Sequence, residues 1–439
     1  MVPAPHPGRG SFCNDRPGVS PPANIPQPSG LKARTLRDET SLSLTIRPPH
    51  LHVWIPDYES EKGGIQVFSN FFIRALGDCL PDARLTIFSK NDNSHPVLPR
   101  RRGPTQFHSA GWWPGRQRTL AYSAQIFGAA LRQRPDFILS THVNFTPVGR
   151  WLNRLRGVRY AAVAHGLDVW GAKGAHVAGA LRCAERVFAV SRFTRDCLVS
   201  ELHLDPARVS ILPNTFDAEA FGVRPKPRYL LKRFGLQPEQ PVILTVGRLA
   251  SAERYKGYDQ ILRALPAVRR AIPGVRYLLG GRGRDRARVE ELIRELGLED
   301  VVILAGYIPD HELRDFYNLC DVFAMPSKGE GFGIVFLEAL ASGKPVIAGN
   351  QDGSVDALCD GKLGVLIDPD NVMELETALI SILEGRHPLA ILREPERLRA
   401  GVIEAYGYAH FVSVLAEYLR QFGLPAEAPT ESESAGTIC

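Results

Sequence analysis

Short apolar, β-rich runs alternate with amphipathic helical patterns along almost the whole chain, in two series of similar size. Alternation of this kind predicts α/β architecture with parallel sheets, because parallel strands need a crossover between them. The first series holds LHVWIPDY (Leu51 to Tyr58), RLTIFS from Arg84, DFILSTH from Asp136, RYAAVAHG from Arg159, RVFAVS from Arg186 and VSILPN from Val209. Gly63 and Gly64 follow its first strand and open an apolar-periodic helix, IQVFSNFFIRAL. Between Phe221 and Gln240 the pattern breaks into a charged, proline-containing connector, VRPKPRYLLKRFGLQPEQP. The second series then runs PVILTVGRL, VRYLLGG, DVVILAGY, DVFAMPS, PVIAG and LGVLI. Each is a short run of the kind that forms a strand buried on both faces. The expected fold is two doubly wound, Rossmann-like domains facing across a cleft, with ligands at the carboxyl ends of the strands.

At 439 residues the chain suits two domains better than one core. Their expected spans are 49–222 and 223–407, with a helix over 408–424 packing back on the first. The Pro/Gly-rich segment 1–48 and the acidic, Ser/Thr-containing tail 425–439 are expected to be disordered. The N-terminus lacks the apolar core of a secretory signal. No run of about 18 apolar residues offers a membrane span. Seven scattered cysteines without metal-ligand spacing fit reduced thiols in a cytosolic protein.

The net charge of +6 is modest, but between Asn93 and Leu167 eleven arginines face one acid, Asp136. Trp112 and Trp113 lie within that region. A basic face with paired tryptophans attracts anionic head groups or an anionic substrate. No nucleic-acid motif accompanies it.

The chemistry concentrates in KGEGFGIVFLEALASGKPV, Lys328 to Val346. After the strand DVFAMPS the chain turns through glycines into the helix GIVFLEALAS, ended by Gly343 and Pro345. Gly331 and Gly333 let backbone N–H groups approach a ligand, and the helix N-terminus adds about half a positive charge, which together make a phosphate site. Glu330 precedes the helix and Glu338 lies roughly 7–8 Å along it. Carboxylates accept hydrogen bonds from sugar hydroxyls, so one on each side of a diphosphate describes a nucleotide-sugar. In VGRLASAERYKG, Arg248 follows a strand directly and Lys256 comes eight residues later, a pair able to neutralise a departing diphosphate. No Ser-His-Asp set, HExxH or Cys/His metal cluster appears.

The spacing GR…ERYKG, then E-GFGIVFL-E, with ASGKPVIAGN and DPDNV downstream, resembles the retaining glycosyltransferases of family 4, which have the GT-B fold and include the glycosyl transferases group 1. The resemblance runs from near Leu51 to near Phe422. It implies that Arg248 and Lys256 bind the donor diphosphate, that Glu330 approaches the transferred sugar, and that Glu338 binds the ribose hydroxyls. It further implies that N–H groups of Phe332, Gly333 and Ile334 face phosphate and sugar, and that the Gly63-Gly64 loop lies beside diphosphate and acceptor. His165, ending RYAAVAHG, matches a histidine near the breaking bond. His142, in STHVNF, ends the preceding strand, and Gly281 and Gly283 fall near the nucleobase.

The resemblance also implies a metal-independent hexosyltransferase that retains anomeric configuration. The donor is UDP- or GDP-linked, and no cofactor is expected. The acceptor is a glycan or a lipid-linked one, in bacterial surface polysaccharide synthesis. The expected setting is cytoplasmic and peripheral at the inner membrane face, with an anionic membrane surface but no nucleic acid as partner. The alternatives are a non-catalytic nucleotide-sugar-binding subunit and another GT-B enzyme, such as a nucleotide-sugar epimerase.

Overall fold

A computed structural model describes residues 47–59, 63–94, 96–171 and 174–427. The segments expected to be disordered lie outside the described residues, apart from 47–48 and 425–427. The first sheet contains β1 (His50–Ile55), β2 (Arg84–Ser89), β3 (Thr105–Ser109), β4 (Phe137–Ser140), β5 (Arg159–Ala164), β6 (Arg186–Ala189) and β7 (Val209–Ile211). Its order is β3-β2-β1-β4-β5-β6-β7, all parallel. The second contains β8 (Val242–Val246), β9 (Arg276–Gly280), β10 (Val302–Gly306), β11 (Val322–Met325), β12 (Val346–Gly349) and β13 (Val365–Ile367). Its order is β10-β9-β8-β11-β12-β13, again all parallel. In both sheets strand order reverses beside the first strand, at β1/β4 and at β8/β11, the position where doubly wound sheets take their ligands.

Helix α1 (Gly64–Cys79) covers one face of the first sheet, burying Phe68, Phe72, Ile73 and Leu76 at helical spacing. The other face carries α2 (Gly115–Gln133), α3 (Thr146–Arg156), α4 (Ala175–Leu181) and α5 (Arg192–Ser200), whose apolar residues form a separate cluster. Next come α6 (Arg228–Phe234), α7 (Tyr258–Ala271), α8 (Arg286–Glu295), α9 (Asp310–Leu319), α10 (Ile334–Ala341), α11 (Ser354–Ala357), α12 (Val372–Leu383), α13 (Pro395–Tyr406) and α14 (Tyr408–Gln421). Of these, α7, α8 and α12 cover one face of the second sheet.

The last described residues return to the first domain. The Phe411 ring of α14 meets Phe68 of α1 edge-on at 5.8 Å, and Phe422 stacks on Phe137 at 4.7 Å. The Glu427 N–H donates to the Cys79 carbonyl at 2.9 Å.

Two elements escape the sequence pattern. Strand β3 lies in the arginine-rich stretch as a sheet edge, and its sequence TQFHS is too polar to register as an apolar run. The connector contains α6, which buries Leu230 and Leu231 and pairs Arg233 with Glu312 of α9 at 2.7 Å. Among the described residues no helix is long and apolar enough to cross a membrane.

Candidate active site

The site's basic half is built where β8 ends. Beyond Val246, Gly247 and Leu249 bond to the turn after β9, through the Gly280 and Arg282 carbonyls at 3.0 and 3.1 Å. Gly281, at φ +142°, makes that approach possible, since a Cβ there would sit 1.8 Å from the Gly247 carbonyl oxygen. Arg248, raised on this support, points largely into solvent, its side chain 80% exposed. The following 3₁₀ turn, Ser251–Lys256, brings a buried carboxylate under it: Glu253 Oε1 lies 2.5 Å from Arg248 Nη2. The same carboxylate reaches Lys256 Nζ at 3.9 Å, and Glu330 Oε2 reaches that Nζ at 3.1 Å. Burial pushes the Lys256 ammonium pKa down, but the Glu330 and Glu253 carboxylates outweigh it and hold the pKa well above its ordinary value. Lys256 is therefore a fixed cation. The turn itself is anchored by Asp285, which accepts from Arg254 Nη2 and Arg288 Nη2, each at 2.7 Å, and from the Tyr258 hydroxyl at 2.8 Å.

The acidic half follows β11. The N–H of Glu330 donates to Asp352 Oδ2 at 2.7 Å, as does the Ser327 hydroxyl at the same distance. Gly353 N–H returns a bond to the Glu330 carbonyl at 2.9 Å. Glu330 is thus held by its backbone, which leaves its side chain for Lys256. Phe332 is buried against Tyr406, edge-on at 5.2 Å, and Gly333 at φ +88° starts α10. The first N–H groups of α10, from Ile334 on, have no carbonyl of their own helix to reach and carry its positive dipole end. Glu338, in the second turn of α10, accepts from the Tyr317 hydroxyl at 2.7 Å. Burial pushes its pKa up to about 7, against the lowering by that hydroxyl. An incoming pair of ligand hydroxyls would favour the carboxylate.

The first domain reaches this loop through backbone. A Cβ at Gly331 would lie 1.7 Å from the His165 carbonyl oxygen, and one at Gly166, φ +113°, would lie 2.7 Å from Gly331 Cα. The space a side chain at Gly331 would need is thus filled by the His165–Gly166 peptide. Gly64 sits near the α10 N-terminus, its Cβ position 4.0 Å from Ile334 Cδ1, while nothing crowds Gly63.

His165 Nε2 lies 2.8 Å from the Thr141 carbonyl. A carbonyl only accepts, so Nε2 carries the proton and Nδ1 keeps its lone pair. Burial lowers the His165 pKa to about 4, so the ring is neutral at pH 7. His142 is tied locally, its Nδ1 accepting the Asn144 N–H at 3.1 Å.

His165 and His52 predict acid lability. Burial lowers the His52 pKa to about 3. Both folded pKa values lie below the unfolded value of about 6.5, so the unfolded chain binds more protons in between. Their contribution to stability is full above about pH 6.5. It is lost as pH falls toward 4 and 3, at up to about 1.4 kcal/mol per pH unit for each ring. Denaturant titrations at several pH values check this. A midpoint independent of pH between 6.5 and 4 would contradict it.

Arg248, Lys256, Glu330, His165 and Gly64 are therefore joined by a chain of contacts near the strands' carboxyl ends, and Glu338 lies further along α10. Sequence reasoning missed Glu253, Asp285, Tyr317 and Asp352. Each acts through a fold-made contact, though an acid between Arg248 and Lys256 was a visible hint for Glu253.

Known proteins resemble this chain in sequence and fold. The profile of Glycosyltransferase Family 4 matches residues 63–220, and that of Glycosyl transferases group 1 matches 230–399. A GDP-mannose-dependent alpha-(1-6)-phosphatidylinositol monomannoside mannosyltransferase of Mycolicibacterium smegmatis is 34% identical over 208 residues, 46% of this chain and 53% of that one. The match thus spans about half the length of that relative. D-inositol 3-phosphate glycosyltransferase 2 of Catenulispora acidiphila is 27% identical over 77% of this chain and 83% of its own. The solved sucrose-phosphate synthase of Thermosynechococcus elongatus superposes with a TM-score of 0.68 at 21% identity, covering 86% of this chain and 99% of that one. The chain belongs to the glycosyltransferases of family 4 and group 1, on the GT-B fold.

Proposed function

We propose that the chain transfers a hexosyl group from a UDP- or GDP-linked sugar to a glycan or lipid-linked acceptor, with retention of configuration. The observation that carries this reading is the Lys256 ammonium, held between Glu253 and Glu330 beside the α10 N-terminus. In the reaction the bond from the sugar's anomeric carbon to the diphosphate oxygen breaks, and its electron pair leaves on the phosphate. The acceptor hydroxyl bonds to that carbon from the same face, and its proton passes to the leaving phosphate. Arg248, Lys256 and the N–H groups of Phe332, Gly333 and Ile334 hold the charge that develops. On this reading protein cations take the role a divalent metal would otherwise fill. His165, neutral, offers Nδ1 as a hydrogen-bond acceptor to the sugar. Glu330 orients the sugar, and Glu338 takes the ribose hydroxyls.

Calorimetry with GDP- and UDP-linked sugars tests the donor site. GDP-mannose goes first, because the mycobacterial relative carries that name. One donor is expected to bind, at least about tenfold more weakly to Glu338→Ala, which loses charge-assisted bonds to the ribose. No binding by any donor favours a non-catalytic subunit. Turnover of the bound donor without an acceptor product, by epimerisation, favours the epimerase. A product of inverted configuration, read by NMR, overturns retention.

We further propose that the first domain docks on an anionic membrane. The supporting observation is the outer surface of α2 and α3, which together carry no acidic residue. Trp112, Trp113, Leu120, Trp151 and Leu155 are exposed on or beside them, Trp112 by 73% and Trp151 by 59%, among exposed Arg116, Arg154 and Arg156. Tryptophan suits the head-group layer, and each arginine near an anionic surface adds about 1 kcal/mol. Flotation with phosphatidylglycerol-containing liposomes is expected to carry the protein, and Trp112→Ala with Trp151→Ala to reduce it several-fold. Failure to float with anionic lipid removes this part.

A further inference from the structure

We infer that Arg192, on the first domain and outside the donor residues, is a positioning residue that fixes the Glu330 loop through α11. Arg192 is the first residue of α5, and its backbone N–H donates to Asp356 Oδ2 at 3.0 Å. Its side chain grips the same carboxylate, Nε to Asp356 Oδ1 at 2.6 Å, while Nη2 reaches Asp360 Oδ1 at 2.5 Å. A carboxylate of the second domain thereby caps a helix of the first. It sits where the helix dipole favours an anion, and the guanidinium adds one charge-assisted donor, Nε, while its Nη2 turns to Asp360. The ion pair to Asp360 alone is exposed and worth little. The Asp356 joint is different, because that carboxylate is largely buried and satisfied by both backbone and side chain.

The other end of α11 holds the site. Asp352, two residues before the helix, is buried and accepts the Glu330 N–H, and Gly353 N–H donates to the Glu330 carbonyl. Gly353 also packs so closely that a Cβ there would lie 1.9 Å from the Gly331 carbonyl oxygen. Asp352 and Asp356 are four residues apart on one short rigid segment, one fastened to Glu330 and the other to the first domain. A third tie supports them: the Tyr406 hydroxyl donates to the Asp356 carbonyl, and the Tyr406 ring meets Phe332 of the loop. When the domains part, Arg192 releases Asp356, and α11 no longer holds the loop's backbone in one position. Closure of the cleft and placement of Glu330 beside Lys256 are then one event.

The test uses the full chain and needs no acceptor. Hydrogen exchange of peptides covering 327–338 is compared in wild type, Arg192→Ala and Arg192→Lys, with calorimetric titrations of UDP and GDP on the same samples. In Arg192→Ala, exchange over 327–338 is expected to speed up at least about tenfold, because a charge-assisted joint is lost. The first-sheet strands should keep wild-type rates. Arg192→Lys keeps the charge but not the guanidinium, so an intermediate rate is expected. Unchanged exchange at 327–338, or an increase spread equally over both sheets in both variants, overturns the inference. If wild type binds neither nucleotide, the donor reading fails, while the exchange comparison still decides the role of Arg192.

Discussion

Replacing Lys256 by alanine is expected to lower kcat/KM, followed as release of nucleoside diphosphate, by about 10³-fold. Removing one preorganised donor from a developing anion costs about 10²–10³-fold. Lys256 exceeds the middle of that range because its loss acts twice. The cation goes, and the carboxylates of Glu253 and Glu330, 3.9 and 3.1 Å from its Nζ, are left unpaired beside an incoming diphosphate. Arg248→Ala should cost less, about tenfold to 10²-fold, because that guanidinium stands mostly in water and is screened by it. The two-part origin has its own signature. Adding Glu253→Gln to Lys256→Ala removes one uncompensated charge and is expected to recover part of the loss, whereas Glu253→Gln alone should be harmful. A Lys256→Ala loss below about threefold would take Lys256 out of the diphosphate site. An additive double variant would remove the electrostatic account of Glu253.

How much of this was legible in the sequence depends on where each signal is stored. The parallel strands could be read because burial on both faces leaves nearly continuous apolar runs, as in VILTV and VFAM. Strand β3 could not, since an edge strand keeps polar residues and TQFHS has one large apolar side chain. Helix α6 was hidden by Pro225 and Pro227, which looked like breakers, although Pro227 is the N-cap and proline at a helix entrance is well tolerated. Arg248, Lys256, Glu330 and Glu338 stood out because strand ends, glycine turns and helix starts are local features. Asp352 did not, because its work is a bond to a backbone N–H 22 residues away. The arginine-rich region divides in the same way. Arg101 binds the Ala83 and Leu80 carbonyls, Arg118 the Trp113 carbonyl, and Arg159 both Glu185 and the Phe422 carbonyl. These three hold the fold together, whereas exposed arginines such as Arg116, Arg154 and Arg156 remain available to the proposed anionic surface.

Gly331→Ala is expected to abolish most transfer while leaving the protein folded. A Cβ at Gly331 would be 1.7 Å from the His165 carbonyl oxygen and 2.8 Å from its carbon, backbone atoms that no side-chain rotation can move. Relief needs a displacement of about 1.5 Å or more to reach ordinary contact distance. That movement separates His165 from the Glu330 loop, and a misplacement of about 1 Å can cost 10²-fold in rate. The apolar clusters on the outer faces of the two sheets lie away from this contact, so Tm should fall by only about 2–4 °C. Nucleotide affinity should fall less than kcat, because Arg248, Lys256 and Glu338 lie off the displaced loop and only the neighbouring Phe332 and Gly333 N–H groups move with it. Gly63→Ala is the control: its backbone is extended at φ −170° and an added Cβ meets no protein atom. A rate loss in Gly63→Ala would therefore report contact with donor or acceptor, as its glycine-loop position implies. A fall in kcat that exceeds the loss of nucleotide affinity, with little change in Tm, in Gly331→Ala is what direct contact between the two domains requires. Wild-type turnover in that variant would mean that the loop and His165 are not this close during catalysis, and that the site works in a more open form.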